Sequence, residues 1–322
     1  MDKIKDINNY VSTEKLENKH LLTLSTYSTE EIFEILHSAK MLKKKLLAGE
    51  RLNYLENKTV ALIFAKNSTR TRVSFEMAIS QLSGKSLFLS SNDLQLGRGE
   101  TIHDTVKTLE RYFINAIMIR TFKQSDVEDL AKYGTIPIIN GLTDLSHPCQ
   151  ALCDILTVWE KFGTLKGLKL AFFGNGNNVA NSLLAVCTKC GMEISIACPK
   201  GSEPNSQFML DAKKYGKVVI TQDPFSAAEN ADILYTDVFF SMGQEIFEEK
   251  RVQLMPYQVN DAIMAAAKKT AVFMHCLPAH RGEEVSAKVL DGPQSIVFDQ
   301  AENRLHVQKA ILYLLLKDQK AR

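Results

Sequence analysis

Hydroxyl side chains and two arginines share five consecutive positions, Ser68-Thr69-Arg70-Thr71-Arg72, in the run that begins at Asn67 behind the apolar stretch 59–65. That stretch reads as a buried strand, and Val73-Ser74-Phe75-Glu76-Met77-Ala78-Ile79 reads as the helix after it. The polar run therefore lies where a strand hands over to a helix N-terminus. Unpaired backbone N–H groups and the positive end of the helix dipole favour an anion there. Arginine adds a fork of donors that fits a phosphate bidentately. A capped helix with solvated arginines is the plain alternative for this stretch taken alone.

Four further sets of residues fall at comparable places. Arg120 closes the apolar run Ala116-Ile117-Met118-Ile119, where a rim charge is the ordinary reading. His147-Pro148-Cys149-Gln150 opens a helix after the loop Asn140-Gly141-Leu142-Thr143-Asp144-Leu145. Pro148 suits a first helical turn, and His147 and Gln150, three apart, put two polar tips on one face. They are either an ordinary cap or a donor pair aimed at a carbonyl. Asp237 ends a strand before a small-residue loop that includes Ser241 and Met242, and Cys276 ends another in His275-Cys276-Leu277-Pro278. Cys276 stands where a reactive residue would, and the Leu277–Pro278 bond is a candidate cis peptide in a tight turn.

These residues outline one chemistry. Arg70, Arg120 and Arg304 can hold a phosphate, while His147 and Gln150 can polarise an adjacent carbonyl and stabilise the oxyanion that develops on attack. Asp237 can hold an ammonium group, and Cys276 can sit beside an attacking amine. No Ser/His/Asp arrangement and no metal cluster competes in the sequence. The glycine-rich Phe173-Gly174-Asn175-Gly176-Asn177-Asn178 resembles a nucleotide loop, but the next strand runs into Pro199-Lys200-Gly201 without a ribose-binding acid. A nicotinamide cofactor is therefore not expected.

The elements that must position these groups alternate along the chain. Strands are expected at 59–65, 86–90, 116–120 and 136–140, then at 169–174, 193–198, 217–221, 233–237, 271–275 and 295–299. Helical periodicity fills the gaps, as in 126–133, 151–162, 179–190 and 206–215. Such alternation implies an α/β protein with two doubly wound parallel-sheet domains, joined near the helix 151–162. The expected division is 1–150 plus 301–322, and 151–300, with a C-terminal helix from residue 303 to 316 packing back on the first domain. Ligands then sit at the C-terminal ends of strands, where every motif above falls.

A length of 322 residues suffices for two such domains. The formal charge of +2 gives no field that would favour nucleic acid, so any anion site must be local. The N-terminal Met1-Asp2-Lys3-Ile4-Lys5-Asp6 has no apolar core, and no apolar run is long enough to span a bilayer. A cytoplasmic protein, with no membrane partner, is expected. Its six cysteines should then be reduced. Cys187-Thr188-Lys189-Cys190 has redox or zinc spacing but lies inside a helical pattern, and packing is its expected role.

Ser68-Thr69-Arg70-Thr71, His147-Pro148-Cys149-Gln150 and His275-Cys276-Leu277-Pro278, in this order, resemble the aspartate/ornithine carbamoyltransferase family, over residues 21–316. Asp237…Ser241-Met242-Gly243 and His275-Cys276-Leu277-Pro278 look like the ornithine branch. Ala279-His280-Arg281-Gly282-Glu283-Glu284-Val285 is similar to its biosynthetic members. The resemblance implies carbamoyl transfer from carbamoyl phosphate to the δ-amine of L-ornithine, giving L-citrulline for arginine biosynthesis. It implies that Ser68, Thr69, Arg70, Thr71 and Arg120 grip the phosphate. His147, Pro148, Cys149, Gln150, Arg304, Cys276 and Leu277 would surround the carbamoyl group, and Gln95 would reach it from a neighbouring subunit of a homotrimer with shared sites. Leu142, Asn178, Asp237, Ser241 and Met242 would hold ornithine. Catalytic roles would fall to Cys276, Arg70 and His147. No metal or organic cofactor is implied, and the family fold is two α/β domains closing over the substrates.

Two positions depart from the family pattern, Asn175 where Asp is usual and Phe239 where Trp is usual. Asn175 keeps hydrogen bonds but loses a charge that would help poise Cys276. Putrescine, aspartate or an acylated ornithine are alternative acceptors. A non-catalytic paralogue that binds carbamoyl phosphate is an alternative of another class.

Overall fold

A computed structural model describes residues 6–91, 94, 99–240 and 247–319 of the chain. They divide into two compact units, one of residues 10–156 with 303–319 and one of residues 6–9 with 157–302. The division falls inside the helix that follows His147 and inside the C-terminal helix, and residues 6–9 group with the second stretch of chain.

The unit built on residues 10–156 runs α1 (Thr29–Leu47), β1 (Thr59–Phe64), α2 (Thr69–Gln81), β2 (Lys85–Ser90), α3 (Ile102–Arg111), β3 (Ala116–Arg120), α4 (Gln124–Tyr133), β4 (Ile138–Leu142) and the start of α5 (Pro148–Phe162). Its four strands are all parallel, in the order β2-β1-β3-β4. The apolar run of β1 is buried at all but its first residue, because a parallel strand is covered by helices on both faces. Ala61, Ile63, Ile117, Ile119, Val127 and Ile138 share one core cluster. Fully burying each large aliphatic there contributes about 1.5–3 kcal/mol.

The unit built on residues 157–302 contains β5 (Lys169–Phe173), α6 (Asn178–Cys187), β6 (Glu193–Ala197), α7 (Ser206–Lys213), β7 (Val218–Thr221), α8 (Pro224–Ala228), β8 (Ile233–Thr236), α9 (Glu248–Leu254), α10 (Asp261–Ala266), β9 (Val272–His275) and α11 (Ala287–Leu290). Its strands are also all parallel, ordered β7-β6-β5-β8-β9. Phe173, Leu234, Val259, Phe273, Val285 and Val297 lie in its core cluster.

The last helix, α12, spans Val297–Leu316. From Asn303 onward it belongs with the four-stranded unit, as the sequence pattern leads one to expect. Lys309 Nζ donates to Gln81 Oε1 at 2.9 Å, and Tyr313 packs edge-on against Tyr54 with ring centroids 4.6 Å apart. Lys58 Nζ donates to the carbonyls of Leu316 and Lys317, placing a cation at the negative end of the helix dipole.

One expected strand is absent. Residues 295–299 pair only through a single bridge between Ser295 and Phe273, and the chain then turns directly into α12. Ile296 and Val297 gave the segment a strand-like pattern. Tertiary context overrides that propensity: the Ile296 carbonyl accepts from Gln300 N at 3.0 Å, and Phe298 is 77% exposed.

Parallel register brings strand ends into line. Phe64 pairs with both Ser90 and Arg120, and Arg120 with Leu142. In the other sheet Phe173 pairs with Ala197 and Thr236, and Thr236 with His275. Strand order reverses between β1 and β3, and again between β5 and β8. Those two switch points are where doubly wound sheets open a crevice for ligands.

Candidate active site

The first switch point carries the arginine-rich motif. Helix α2 begins at Thr69, so Thr69, Arg70, Thr71 and Arg72 form its first turn, not a loop ahead of it. Ser68 is the N-cap: its Oγ accepts from Thr71 N at 3.2 Å and donates to Thr71 Oγ1 at 3.1 Å. Thr71 is buried and acts as a hub. Its Oγ1 also accepts from Arg304 Nη2 at 3.3 Å and from Arg120 Nη1 at 3.5 Å. Two buried guanidinium groups, from β3 and α12, thus converge on the N-terminal turn of α2. Arg70 is half-buried in the same turn. Arg72 is exposed; it pairs with Glu76 at 3.0 Å and lies 3.7 Å over the Phe88 ring, so it braces helix against strand.

His147 joins this cluster from the loop after β4. It is buried, Pro148 is the first residue of α5, and the His147 carbonyl accepts from Ala151 N at 3.2 Å. Burial, with Arg304 and Arg120 close by, holds the imidazole pKa well below its usual value. A neutral imidazole is a hydrogen-bond donor that adds no charge. Gln150 is engaged on both sides: its Oε1 accepts from Arg304 Nη1 at 2.5 Å and its Nε2 donates to the buried Asp154 Oδ1 at 2.8 Å. Cys149 points elsewhere. Its thiol donates to the Asn140 carbonyl at 3.4 Å, and burial pushes its pKa up to about 12. Leu142 is half-buried at the end of β4.

The second switch point carries a different set. Asn177 caps α6, accepting from Val179 N and Ala180 N at 3.0 and 3.1 Å. Its Nδ2 donates to Asp237 Oδ2 at 2.6 Å. Cys276 Sγ donates to the other oxygen, Asp237 Oδ1, at 3.0 Å. One carboxylate therefore joins an amide after β5 to a thiol after β9. Asn178, the first residue of α6, is buried beside its cap.

Cys276 is held through its neighbour. His275 is fully buried; its N donates to Gln300 Oε1 at 2.9 Å, its Nδ1 accepts from Leu277 N at 2.8 Å, and its Nε2 lies 3.3 Å from the buried Glu284. The Leu277–Pro278 bond is cis. Sequence spacing shows no metal cluster, yet folding brings ligand atoms of Asp237, His275 and Cys276 within 4.8 Å of one another, as it does those of His280, Glu283 and Glu284. The bonds just described already use the first three.

Close packing shapes the glycine-rich loop between β5 and α6. A Cβ on Gly176 would stand 2.2 Å from Pro204 N, so the loop needs glycine to let the backbone at 203–204 approach. Gly174, at φ +114°, lies under the Phe239 ring, and a Cβ there would stand 3.2 Å from two of the ring carbons.

Of the residues singled out in the sequence, Ser68, Thr71, Arg120, His147, Gln150 and Arg304 are brought together in one unit. Asp237 and Cys276 are brought together in the other. Gln95, Ser241 and Met242 lie outside the described residues. Asn177, Asp154 and Glu284 take part in these networks although the sequence pattern gives them no role, and Lys66 stands beside the first of them. Lys66 is buried and ion-paired with Asp144 just before the arginine motif. Its adjacency to that motif was the available signal.

Two α/β units, one presenting buried cations at a helix N-terminus and the other a carboxylate–thiol pair, describe a group transferase acting on an anionic donor. The chain belongs to the aspartate/ornithine carbamoyltransferase family. Its carbamoyl-P binding domain model matches residues 19–160, and its Asp/Orn binding domain model residues 166–315. An ornithine carbamoyltransferase from Anoxybacillus flavithermus is 52% identical over 314 residues, covering 96% of this chain and all of that protein. An anabolic ornithine carbamoyltransferase from Pyrococcus furiosus is 52% identical over 307 residues, 94% of this chain and 97% of its own length. The solved Pyrococcus furiosus ornithine carbamoyltransferase superposes with a TM-score of 0.90, covering 94% of this chain and 98% of that one. Among the described residues, no helix is long and apolar enough to cross a membrane.

Proposed function

We infer that this protein transfers the carbamoyl group of carbamoyl phosphate to the δ-amine of L-ornithine, giving L-citrulline and phosphate for arginine biosynthesis. The observation that carries the reading is the convergence of Arg120 and Arg304 on Thr71 beside a neutral, buried His147. That site suits a small phosphorylated carbonyl compound, in a chain about half identical to ornithine carbamoyltransferases along its length.

The phosphate is gripped by Arg70, Arg120 and the first turn of α2, with Ser68, Thr69 and Thr71 contributing hydroxyl and backbone donors. His147, Arg304 and Gln150 face the carbamoyl end, where donors stabilise the oxyanion formed on attack. A neutral His147 donates without drawing the phosphate away from the arginines. Cys149 supports the turn from beneath, since its thiol is committed to Asn140.

Ornithine's δ-amine should titrate near a lysine amine, at roughly 10.4, and so arrives protonated and non-nucleophilic. Asp237 receives the ammonium, and Cys276 with Asp237 accepts or directs the proton that must leave. The neutral amine then adds to the carbonyl carbon, the C–O bond to phosphate breaks, and the arginines hold the departing phosphate. Leu142, Asn178, Ser241 and Met242 complete the ornithine set, and the backbone of Cys276 and Leu277 contributes to the carbamoyl pocket. The protein acts in the cytoplasm as a homotrimer in which Gln95 reaches carbamoyl phosphate of a neighbouring subunit.

A colorimetric citrulline assay with ornithine, putrescine and aspartate supplied side by side tests this reading. Turnover confined to ornithine is expected. Preferential carbamoylation of either of the others would reassign the acceptor, and carbamoyl phosphate binding without turnover on any amine would remove the enzymatic reading.

A further inference from the structure

Strand β4 breaks register just before the loop that delivers His147. Ile119 pairs with Asn140 but Arg120 with Leu142, which leaves Gly141 as an extra residue. Such bulges re-aim the chain beside functional sites. The bulge is tight: a Cβ on Gly141 would stand 2.5 Å from Met118 Sδ and 3.2 Å from the Ile119 carbonyl, so Met118 would have to move.

The residue before the bulge, Asn140, is wholly buried and grips the loop at both ends. Its Nδ2 donates to Ser146 Oγ at 3.1 Å, and its own carbonyl accepts from Cys149 Sγ at 3.4 Å. His147 lies between those two anchor points. The same Nδ2 donates to the Leu22 carbonyl at 2.8 Å, and Leu22 is fixed because Leu21 pairs with β4 as a one-residue strand. The Asn140 N–H donates to the Leu21 carbonyl at 2.7 Å. Thr143 Oγ1 donates to Gln124 Oε1 at 2.8 Å and accepts from Ser146 N at 3.1 Å, closing the loop on helix α4.

We propose that Asn140, with Gln124, Thr143 and Ser146, is a positioning cluster that sets His147 and Gln150 at the carbamoyl end of the donor site. An apolar filling would stabilise the loop as well or better, since buried polar groups repay their desolvation only when paired. What a directional cluster adds is a single geometry. Arg304 donates to both Gln150 and Thr71, but the phosphate end has further supports of its own in the Ser68 cap and the register of β1 with β3. The two ends of one ligand therefore share Arg304 and otherwise have separate supports.

That separation supplies the test, and it rests on the carbamoyl-transfer reading above. Asn140→Leu keeps the volume and removes the amide. Its kcat/KM for carbamoyl phosphate should fall roughly 10- to 100-fold, the usual cost of losing an orienting hydrogen bond behind a functional group. The inhibition constant of inorganic phosphate should stay within about twofold, because the phosphate supports are untouched. Gln124→Ala, at a half-buried position on α4, is the milder variant and should show the same split at roughly three- to tenfold. It decides the matter if Asn140→Leu does not fold. Parallel loss of carbamoyl phosphate and phosphate affinity would mean general loosening and would overturn the proposal, as would a folded variant with wild-type kinetics. Failure of the wild-type chain to make citrulline would instead remove the functional reading beneath it.

Discussion

On the proposed function, the two switch points would hold their ligands' chemistry in opposite ways. After β1 and β3, charge is permanent: Arg120 and Arg304 converge on Thr71, and a neutral His147 sits beside them. After β5, β8 and β9 the machinery is one carboxylate shared between an amide and a thiol, Asn177–Asp237–Cys276. That contrast suits what each proposed ligand must do. A phosphorylated donor stays anionic throughout, so fixed cations at a helix N-terminus suit it. An amine must shed a proton before it can attack, so its side of the reaction needs groups that accept or pass one. Parallel register supplies the same scaffold for both.

Breaking the thiol side should give the largest effect, and it should be an effect on rate. Cys276→Ala is expected to lower kcat by roughly 10²- to 10⁴-fold, the range for a positioned acid–base group. Carbamoyl phosphate affinity, measured by calorimetry, should change little. An unchanged kcat with a raised KM would place Cys276 in binding and dissolve the contrast.

Breaking the cation side should chiefly damage binding. Arg304→Ala removes a charge that donates to Thr71 and to Gln150 Oε1, and should raise KM for carbamoyl phosphate by roughly 100-fold. It has a second signature in pH. Burial, then Arg304 and Arg120, keep His147 deprotonated, so losing Arg304 makes protonation easier. The acid limb of kcat/KM should then move to higher pH; an unmoved limb would show that Arg304 does not govern His147. Stability follows with a defined sign. The folded protein binds fewer protons at His147 than the unfolded chain, whose histidines titrate near ~6.5. Wild-type stability should therefore fall as pH drops from that value toward the lower folded one.

How far these arrangements could be read from the chain depended on their range in sequence. The arginine motif, the Pro148 helix start, the cis Leu277–Pro278 turn and the alternation of strands and helices are local patterns, and each appears in the structure. The Asn177 cap is local too, yet Asn177 was hidden inside a run that looked like a nucleotide loop. Its bond to Asp237 joins residues 60 positions apart, and no periodicity reports such a pair. Asp154 lies on a buried helix face, where the apolar pattern concealed it. The segment 295–299 failed for the opposite reason, because β-branched residues spoke for a strand and the single bridge to Phe273 left room for only one residue of it.

A smaller effect separates packing from chemistry on the amine side. Gly176→Ala drives a methyl group into the backbone at Pro204, and the only relief is movement of the loop. Overpacking of this kind costs about 1–3 kcal/mol. Chemical denaturation should register that loss, with carbamoyl phosphate binding little changed because Arg120, His147 and Arg304 lie in the other unit. A Gly176→Ala protein as stable as wild type would mean the loop shifts freely, and the Asn177 bond would then owe nothing to glycine.

The smallest expected effect bears on how the thiol side is tuned. Asn175 stands in the loop between β5 and α6, half-buried, with its carbonyl accepting from Asn177 N at 2.7 Å. A carboxylate there would sit two residues from the side chain that holds Asp237. Negative charge raises the pKa of neighbouring acids, a thiol included, because it opposes formation of a second anion. It holds the proton of an incoming ammonium more firmly for the same reason. Asn175→Asp should therefore displace the pH–rate profile toward alkaline pH while changing the maximum kcat less than about tenfold, since one pKa unit corresponds to about 1.4 kcal/mol. An identical profile would mean that this loop position is silent and that Asp237 and Asn177 alone set the proton chemistry. A displacement toward acid would run against both electrostatic effects. It would mean that the new carboxylate takes the amine's proton itself, and that Cys276 is not the group whose titration limits the rate.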